Sequence, residues 1–424
     1  MLRAFVNAFK IPDLRKKILF TLFIIAIFRL GSHIPAPGID VGKLSQEFQQ
    51  AGSQSVLQFI DLFSGGSLTR FAVFSLGIMP YITSSIIMQL LTVVIPRLEQ
   101  WQRQGEIGIK KITQWTRYMT VTLALLQSTG LVFLFQNSFQ IMKPGTFNAP
   151  HIALIVLTLT AGTAMIMWLG ELITQRGIGN GMSILIFTSV ISRLPAEGLA
   201  IMQQGGAAKF YFFLAMGVGI VFAVVYMEQG QRRIPVQYAK RIVGRRQTSG
   251  GSTYIPLKVN QSGVIPIIFA ASILYFPSLL ASVIHGQWFQ NFVNNYILNQ
   301  ASLVYMLIYG LLVVFFAYFY TAIAFDPVRT ADDIRKYGGF IPGIRPGRPT
   351  AEYLANVLNR ITLPGSLFLA AIALLPSIFL SIWHIQSFPF GGTSILITVG
   401  VALETMKQVE SQLLMRHYEG FLRS

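Results

Sequence analysis

Cysteine is absent from this 424-residue sequence, which excludes a disulfide framework and a thiolate metal site. Charge is also scarce: Asp, Glu, Lys and Arg make up 12% of the chain, against about 25% of a typical soluble domain. Hydrophobic residues make up 53% of the chain, and the mean hydropathy is +0.57. A soluble protein of this length needs a more polar surface, so the composition indicates an integral membrane protein.

Motifs that carry common enzyme chemistry are missing. The sequence has no Walker A phosphate loop, no H-E-x-x-H and no G-x-S-x-G. Segment 177–181 resembles a nucleotide-binding loop, but it lacks the closing x-x-Gly and no strand precedes it. A tight turn between two membrane spans is the better interpretation. We therefore expect no enzymatic activity, no cofactor and no bound metal.

Ionisable residues are sparse in the apolar runs. Arg29, Glu171, Glu228 and Glu404 lie in or beside predicted spans. A proton or ion carrier usually commits several acidic side chains to the middle of the membrane. The predicted interior is instead mainly aliphatic, which suits a pore closed by apolar side chains that exclude water. A secondary transporter of small solutes is the alternative, and it predicts a polar site at mid-membrane.

Apolar runs near the roughly 20 residues needed to cross a bilayer predict ten transmembrane helices. The fifth is the weakest, because Arg193 and Pro195 interrupt its far end. The predicted spans are 18–35, 72–95, 114–136, 151–173, 183–203, 210–228, 262–283, 303–324, 363–383 and 391–413.

Positive charge is distributed unevenly between the loops. The formal net charge is +17, with 33 Lys and Arg residues. If the N-terminus is cytoplasmic, almost all of these residues fall in cytoplasmic segments. Those on the opposite side are Lys43, Arg70, Lys143, Arg193 and Lys209. Because cytoplasmic loops are enriched in Lys and Arg, the pattern predicts ten spans with both termini in the cytoplasm.

Two of the cytoplasmic loops are long and strongly basic, at about 229–260 and 325–362. Their Gly, Pro and Thr content predicts β-hairpins or ordered turns that project from the membrane. The alternative is that their charge only sets the topology, for which a few residues suffice.

A short motif recurs in the two halves of the chain. Residues 77–82 read Gly-Ile-Met-Pro-Tyr-Ile in the second span, and residues 263–268 read Gly-Val-Ile-Pro-Ile-Ile in the seventh. Two halves of five spans each run in opposite directions, and matching Gly/Pro interruptions in inverted repeats often mark the working pathway. So short a match can also arise by chance.

Several longer motifs, in this order, resemble the SecY family, whose members form the central subunit of the bacterial protein-conducting channel. The resemblance covers nearly the whole chain. It is carried by residues 28–40 (FRLGSHIPAPGID), 63–66 (FSGG), 76–82 (LGIMPYI), 176–181 (RGIGNG), 231–235 (QRRIP), 257–260 (LKVN), 340–347 (FIPGIRPG) and 391–394 (GGTS).

The resemblance implies an all-α polytopic protein of the bacterial cytoplasmic membrane, with ten helices in two inverted five-helix halves at 1–204 and 205–424. It further implies a channel that passes unfolded preproteins across the membrane and releases apolar segments sideways into the bilayer. The channel itself has no active site, so a partner ATPase or the ribosome would supply the driving force.

The resemblance also implies a constriction made of a ring of aliphatic side chains. Such groups offer ions no ligands and can adapt to the chain that passes. By motif position the ring comprises Ile78, Ile82, Met182, Ile186, Ile268 and Ile397. The alternative is that all six are ordinary helix-packing residues.

Residues 57–67 resemble the plug, a short helix that blocks the outer mouth of the channel, with a glycine pair as its hinge. The plug residues singled out are Phe59, Ile60, Asp61, Leu62, Phe63, Ser64, Gly65 and Gly66. The alternative for this segment is a re-entrant loop that does not move. The second and seventh spans resemble the lateral gate, where Pro80 and Pro266 are expected to weaken helical hydrogen bonds.

By resemblance the two basic loops dock the ribosome and the SecA motor ATPase, through Arg245 and Arg246 in the first loop and Arg345 in the second. Arg and Lys suit ribosomal RNA phosphates, which they bind without reading sequence. Anionic membrane lipid is a rival ligand for some of these residues. The other expected partners are the SecE and SecG subunits, signal peptides and nascent chains.

Overall fold

A computed structural model describes residues 9, 11–44, 61, 63–139, 148–238, 242–243, 246–247, 252–283, 287–298, 302–383 and 392–422. Helices dominate these residues, and each of the ten predicted spans carries helix. By length and composition alone, five of the helices in the described residues could cross a membrane, or six if one bent pair counts as a single span. The shorter apolar helices 181–195 and 265–274 add to these, so the ten-helix layout fits.

The N-terminal half is built mainly from long helices. The bent pair is formed by α2 and α3, which meet at an angle of 100°. The helices of this half are α1 (Pro12–Gly31), α2 (Met79–Val94), α3 (Pro96–Arg103), α4 (Glu106–Phe139) and α5 (Ala149–Arg176).

The fifth and sixth predicted spans lie on one helical run, α6 (Gly181–Gln229). The side chain of Asn180 caps its start by accepting hydrogen bonds from the backbone N–H groups of Met182 and Ser183. The backbone leaves the helical region at Gly206, with φ 77° and ψ 167°. This glycine therefore breaks the run into two helices, one for each predicted span.

The C-terminal half has a similar set of helices with one irregular outer segment, where α8 is followed by a six-residue π-helix, Val293–Leu298. The helices of this half are α7 (Ile265–Val283), α8 (Gln287–Phe292), α9 (Leu303–Ala324), α10 (Pro327–Lys336), α11 (Arg348–Trp383) and α12 (Gly392–Leu422).

The two basic loops fold together into one polar lobe. The hairpin predicted in the first loop is confirmed: β1 (Gln231–Tyr238) pairs antiparallel with β4 (Ser252–Lys258), with Ile234 opposite Ile255. Between them lie β2 (Ile242–Val243) and β3 (Arg246–Gln247). The second loop contains helix α10 rather than a hairpin, and its strand β5 (Gly339–Phe340) adds to the free edge of β1.

Helix α10 forms because Asp326 caps it and Pro327 occupies its first position. A small apolar core joins the two loops into the polar lobe, and it comprises Ile234, Val236, Leu257, Ile334, Ile341, Leu354 and Val357. Because the basic segments share this core, they present one folded surface rather than two separate tails.

One large apolar cluster fills the membrane part of the protein and draws on both halves. Within it α4 packs on α2 and α5, α12 packs on α6, and α9 packs on α7 and α11. Outward-facing aromatic side chains are exposed, as at Phe222 and Tyr226 on α6. An apolar interior combined with an apolar exterior is the pattern expected of a protein surrounded by lipid.

Candidate functional site

The recurring Gly-x-x-Pro motif adopts the same backbone at both positions. Gly77 and Gly263 have φ of 55° and 60°, and a helix begins two residues later in each case. In α2 the N–H of Ile82 donates to the carbonyl of Ile78 at 3.1 Å, and in α7 the N–H of Ile268 donates to the carbonyl of Val264 at 3.3 Å. The structural match supports the sequence match.

The expected effect of the two prolines on their helices is wrong. Pro80 and Pro266 are the second residues of α2 and α7, where a backbone N–H has no intrahelical acceptor and proline is favoured. They therefore start these helices and do not weaken hydrogen bonds within them. Helices α2 and α7 also contact each other, as two sides of a closed gate would.

The six candidate ring residues fall into two groups. Ile78, Ile82, Ile186, Ile268 and Ile397 are buried in the large apolar cluster, which spans both halves. Met182 is only half-buried, and it lies so close to α5 that a Cβ added at Gly170 would meet its sulfur. Met182 therefore lies in the first turn of α6 and packs against α5, at the edge of the same cluster.

Val190 is a further candidate beside Ile186, and sequence reasoning missed it. Val190 is fully buried in the same cluster and lies four residues after Ile186, as Met182 lies four residues before it, so all three share one face of α6. Its neighbour Ser189 lies close to Gly65 of the candidate plug, since a Cβ added at Gly65 would lie 3.0 Å from the Cα of Ser189. The i, i+4 spacing from Ile186 was the available signal, and it fits Met182 and Val190 alike.

The part of the plug that the structure describes is organised around one carboxylate. Oδ1 of Asp61 accepts hydrogen bonds from the backbone N–H groups of Leu68 at 3.0 Å and Thr69 at 3.2 Å, and from the hydroxyl of Ser64 at 3.3 Å. Three donors on one oxygen hold the segment in a compact turn. Phe59, Ile60 and Leu62 lie outside the described residues.

An ion pair links this turn to α6. Oδ2 of Asp61 lies 2.7 Å from Nη1 of Arg193, and the two side chains are 1% and 22% exposed. Burial raises the pKa of Asp61, while the guanidinium of Arg193 and the hydrogen bonds oppose the rise. Arg29 of α1 adds a second tie, because its Nη1 donates to the carbonyl of Gly65 at 3.0 Å and to the hydroxyl of Ser192 at 2.9 Å.

The plug also rests on the turn that precedes α2. A Cβ added at Gly77 would lie 3.0 Å from the carbonyl oxygen of Phe63 and from the Cα of Ser64. Phe63 is itself buried, and Gly65 and Gly66 adopt φ of 68° and 85°. The backbone of the candidate plug therefore lies directly against Gly77, which precedes Ile78 at the start of α2.

Two of the three candidate docking arginines lie on the described part of the polar lobe. Arg345 is exposed, and its backbone is held in an ordered turn because its carbonyl accepts a hydrogen bond from the hydroxyl of Thr350 at 2.9 Å. Arg246 lies on β3, and Arg245 lies outside the described residues. The fixed backbone at Arg345 presents one guanidinium outward from a rigid loop.

Known proteins resemble this chain over its full length. The SecY family profile matches residues 72–406. A curated relative from Streptomyces galbus, named protein translocase subunit SecY, is 55% identical over 438 residues and covers all of both chains. The relative of the same name from Mycobacterium tuberculosis (strain ATCC 25618 / H37Rv) is 50% identical over 443 residues, again over all of both chains.

Solved structures share the fold at low sequence identity. One, described as "The structure of a protein conducting channel", has a TM-score of 0.64 at 16% identity and covers 96% of both chains. Another is described as "Sec61 in the Canine ribosome-channel complex from the endoplasmic reticulum", with a TM-score of 0.59 at 15% identity and the same coverage. With the layout of apolar helices, these matches establish that the chain belongs to the SecY family and forms a protein-conducting channel as a multi-pass protein of the bacterial cytoplasmic membrane.

Proposed function

We propose that the resting channel is closed by the plug and an aliphatic ring acting together, and that it opens sideways between α2 and α7. The observation that carries this proposal is the contact of the plug backbone with Gly77 and Ser189. These residues directly precede Ile78 and Val190. A plug that leaves its seat therefore removes support from both of these positions at once.

The ring that we propose comprises Ile78, Ile82, Met182, Ile186, Ile268 and Ile397, with Val190 as a further candidate on the same face of α6. The five isoleucines are buried in the cluster that draws on both halves, and Met182 packs against it, which supports this assignment. Aliphatic side chains give ions no ligands and exclude water when they meet. They also adapt to unlike side chains, as a channel for many preproteins requires.

The two halves, residues 1–204 and 205–424, act as inverted repeats in this proposal. The matching turns at Gly77 and Gly263 support it, because they start helices that face each other across the gate. A signal peptide or an apolar segment of a nascent chain would enter between α2 and α7. Separation of these helices would then release that segment into membrane lipid.

The polar lobe is the proposed docking surface for the source of energy. Solved structures that share the fold include Sec61 in a canine ribosome-channel complex and a yeast Ssh1 complex bound to the 80S ribosome. By analogy the basic lobe of this chain would bind ribosomal RNA phosphates and the SecA motor ATPase. SecE and SecG are the proposed partner subunits within the membrane.

The test is preprotein transport by the chain, reconstituted with its partner subunits, in the presence of motor and ATP. Complete failure to move a preprotein would reject the channel proposal. Arg345→Glu should reduce motor-driven transport and leave membrane insertion intact. Arg348→Glu is the matched control, because Arg348 lies in the same loop and is bound to Glu352 at 3.2 Å. Equal transport by both variants would reject the docking role of Arg345.

A further inference from the structure

The hairpin of the polar lobe is tied at its base. The chain leaves the membrane at Glu228, enters β1 at Gln231, returns through β4 and reaches Asn260. There the side-chain amide of Asn260 donates to Oε1 of Glu228 at 2.6 Å. The backbone N–H of Val259 also donates to the carbonyl of Gly230 at 2.9 Å. We call residues 228–230 and 258–260 the hairpin neck.

The same asparagine also holds the turn that starts α7. Its Nδ2 donates to the carbonyl of Gly263 at 3.1 Å, while its Oδ1 accepts from the hydroxyl of Ser262 at 3.1 Å. Asn260 and Ser262 are 6% and 4% exposed. Both amide protons and the amide oxygen are thus used in a buried site, where an unmet polar group costs about 1–3 kcal/mol.

The residues on either side of Asn260 lie against glycines of other helices. A Cβ added at Gly365 of α11 would clash with the carbonyl oxygen of Val259, and one added at Gly400 of α12 would meet the side chain of Val264 at 2.8 Å. Residues 259–264 are therefore enclosed between the hairpin and α7. A displacement of the hairpin neck would therefore be passed on to α7 rather than absorbed between the two.

We propose that Glu228 and Asn260 are positioning residues that transmit partner docking on the hairpin to the gate helix α7. This inference rests on the docking and gating roles proposed above. Glu228 accepts one amide proton of Asn260 and so directs the other proton to Gly263. A partner that shifts the hairpin shifts the neck, and Asn260 carries that shift to the first turn of α7.

The charge of Glu228 is less important to this role than its acceptor oxygen. Lys258, Lys407 and Glu404 lie within electrostatic reach of the Glu228 carboxylate. Glu228→Gln keeps an oxygen that accepts from Asn260, so it is a matched control for charge. Asn260→Asp removes both hydrogen bonds that the Asn260 amide donates, and it places the new carboxylate against that of Glu228.

A third variant separates the neck from the turn. In Asn260→Asp combined with Glu228→Gln, a glutamine amide donates to the aspartate, so the neck is joined again. The carbonyl of Gly263 still has no donor from residue 260. This double variant therefore keeps the structural tie and removes the proposed link to α7.

The experiment measures docking and gate opening separately on the reconstituted full-length complex. Because the chain has no cysteine, one pair of introduced cysteines on α2 and α7 can report gate separation by cross-linking. Ribosome or motor affinity is measured in parallel. We expect both Asn260→Asp variants to keep affinity within about twofold and to lose about tenfold of the docking-stimulated opening, within the usual range of coupling between sites. Glu228→Gln should behave like the parent.

Normal docking-stimulated opening in either Asn260→Asp variant would overturn the inference. If the parent itself shows no docking, or no gate opening on docking, the proposed function fails instead, so the two failures differ. Should the single variant not assemble, Ser262→Ala removes only the bond to Oδ1 of Asn260 and should give a smaller loss of stimulated opening. Unchanged opening in Ser262→Ala and in the double variant would also reject the role of Asn260.

Discussion

The two gate helices begin with the same turn but rest on different supports. At the start of α2, Gly77 lies against the backbone of the plug. At the start of α7, a Cβ added at Gly263 would have no atom within 4 Å, and the turn is held from one side by Asn260. In our proposal the support of α2 is a segment that leaves when the channel opens, whereas the support of α7 is Asn260, which follows the hairpin of the polar lobe.

In the proposed gate, this difference would give the two helices different functions. The support of α2 would disappear when the plug moves, so α2 would respond to events inside the channel. The support of α7 is covalently continuous with the hairpin of the polar lobe, so α7 would respond to docking on that lobe. The two turns match in sequence and in backbone, and the residues packed around each turn would determine which event its helix responds to.

The largest expected effect comes from removing the plug's counter-charge. Arg193→Ala leaves the carboxylate of Asp61, which is 1% exposed, without its ion-pair partner. Breaking a buried ion pair by removing one member costs about 3–5 kcal/mol, which corresponds to a rise of about a hundredfold or more in the displaced plug population. We expect high resting ion conductance in planar bilayers, because the plug no longer supports α2. The support of α7 is unchanged in this variant.

Arg193→Lys is the control for this variant, since it keeps the charge and should retain most of the seal. Docking-stimulated separation of α7 should persist in Arg193→Ala, because the hairpin neck is intact. A resting conductance like that of the parent would show that the ion pair does not hold the plug. The proposed dependence of α2 on the plug would then be rejected.

The helices were predictable because apolar runs of span length leave few alternatives in lipid. The residue at which the helix of the second span begins was not predictable in this way. Its apolar run begins at residue 72, yet the helix begins at Met79. Backbone hydrogen bonds instead join residues 34–36 to residues 71–73, and Phe71 has φ 44°. Hydropathy does not distinguish a buried turn from a buried helix.

The site was predictable in kind and less so in detail. Residue type and motif position selected five isoleucines that are buried together, whereas the contact of Met182 with Gly170 is tertiary and has no local signal in the sequence. The Asp61–Arg193 pair joins residues 132 positions apart, and nothing in either local sequence signals it. The cap of α10 was visible as Asp326-Pro327, although the loop's Gly and Pro content favoured turns.

The next largest effect tests whether both halves contribute equally to the ring. Ile82→Gly and Ile268→Gly remove side chains at matching positions of α2 and α7. Loss of a large buried aliphatic group costs about 2–5 kcal/mol of packing and leaves a gap that water can enter. Each variant should leak ions at rest, and the double variant should leak more, as single-channel recordings can measure.

Val190→Ala and Met182→Ala are the matched pair on α6. Met182→Ala should raise resting conductance, because Met182 lies on the same face of α6 as Ile186. A leak from Val190→Ala without one from Met182→Ala would put Val190 in the ring in place of Met182. Unchanged conductance in both isoleucine variants would mean that these positions serve helix packing alone.

The smallest effect isolates the support itself. Gly77→Ala and Gly263→Ala carry the same backbone cost, about 1–2 kcal/mol for a left-handed conformation, because their φ angles are 55° and 60°. Only the alanine at position 77 also presses on the plug, at 3.0 Å from the Phe63 carbonyl oxygen. The difference between the two variants is therefore the plug contact. Gly77→Ala should raise resting conductance several-fold above that of Gly263→Ala, measured at equal amounts of folded complex. Equal conductance would mean that α2 does not depend on the plug for its support, and that the two halves differ only in their connection to the polar lobe.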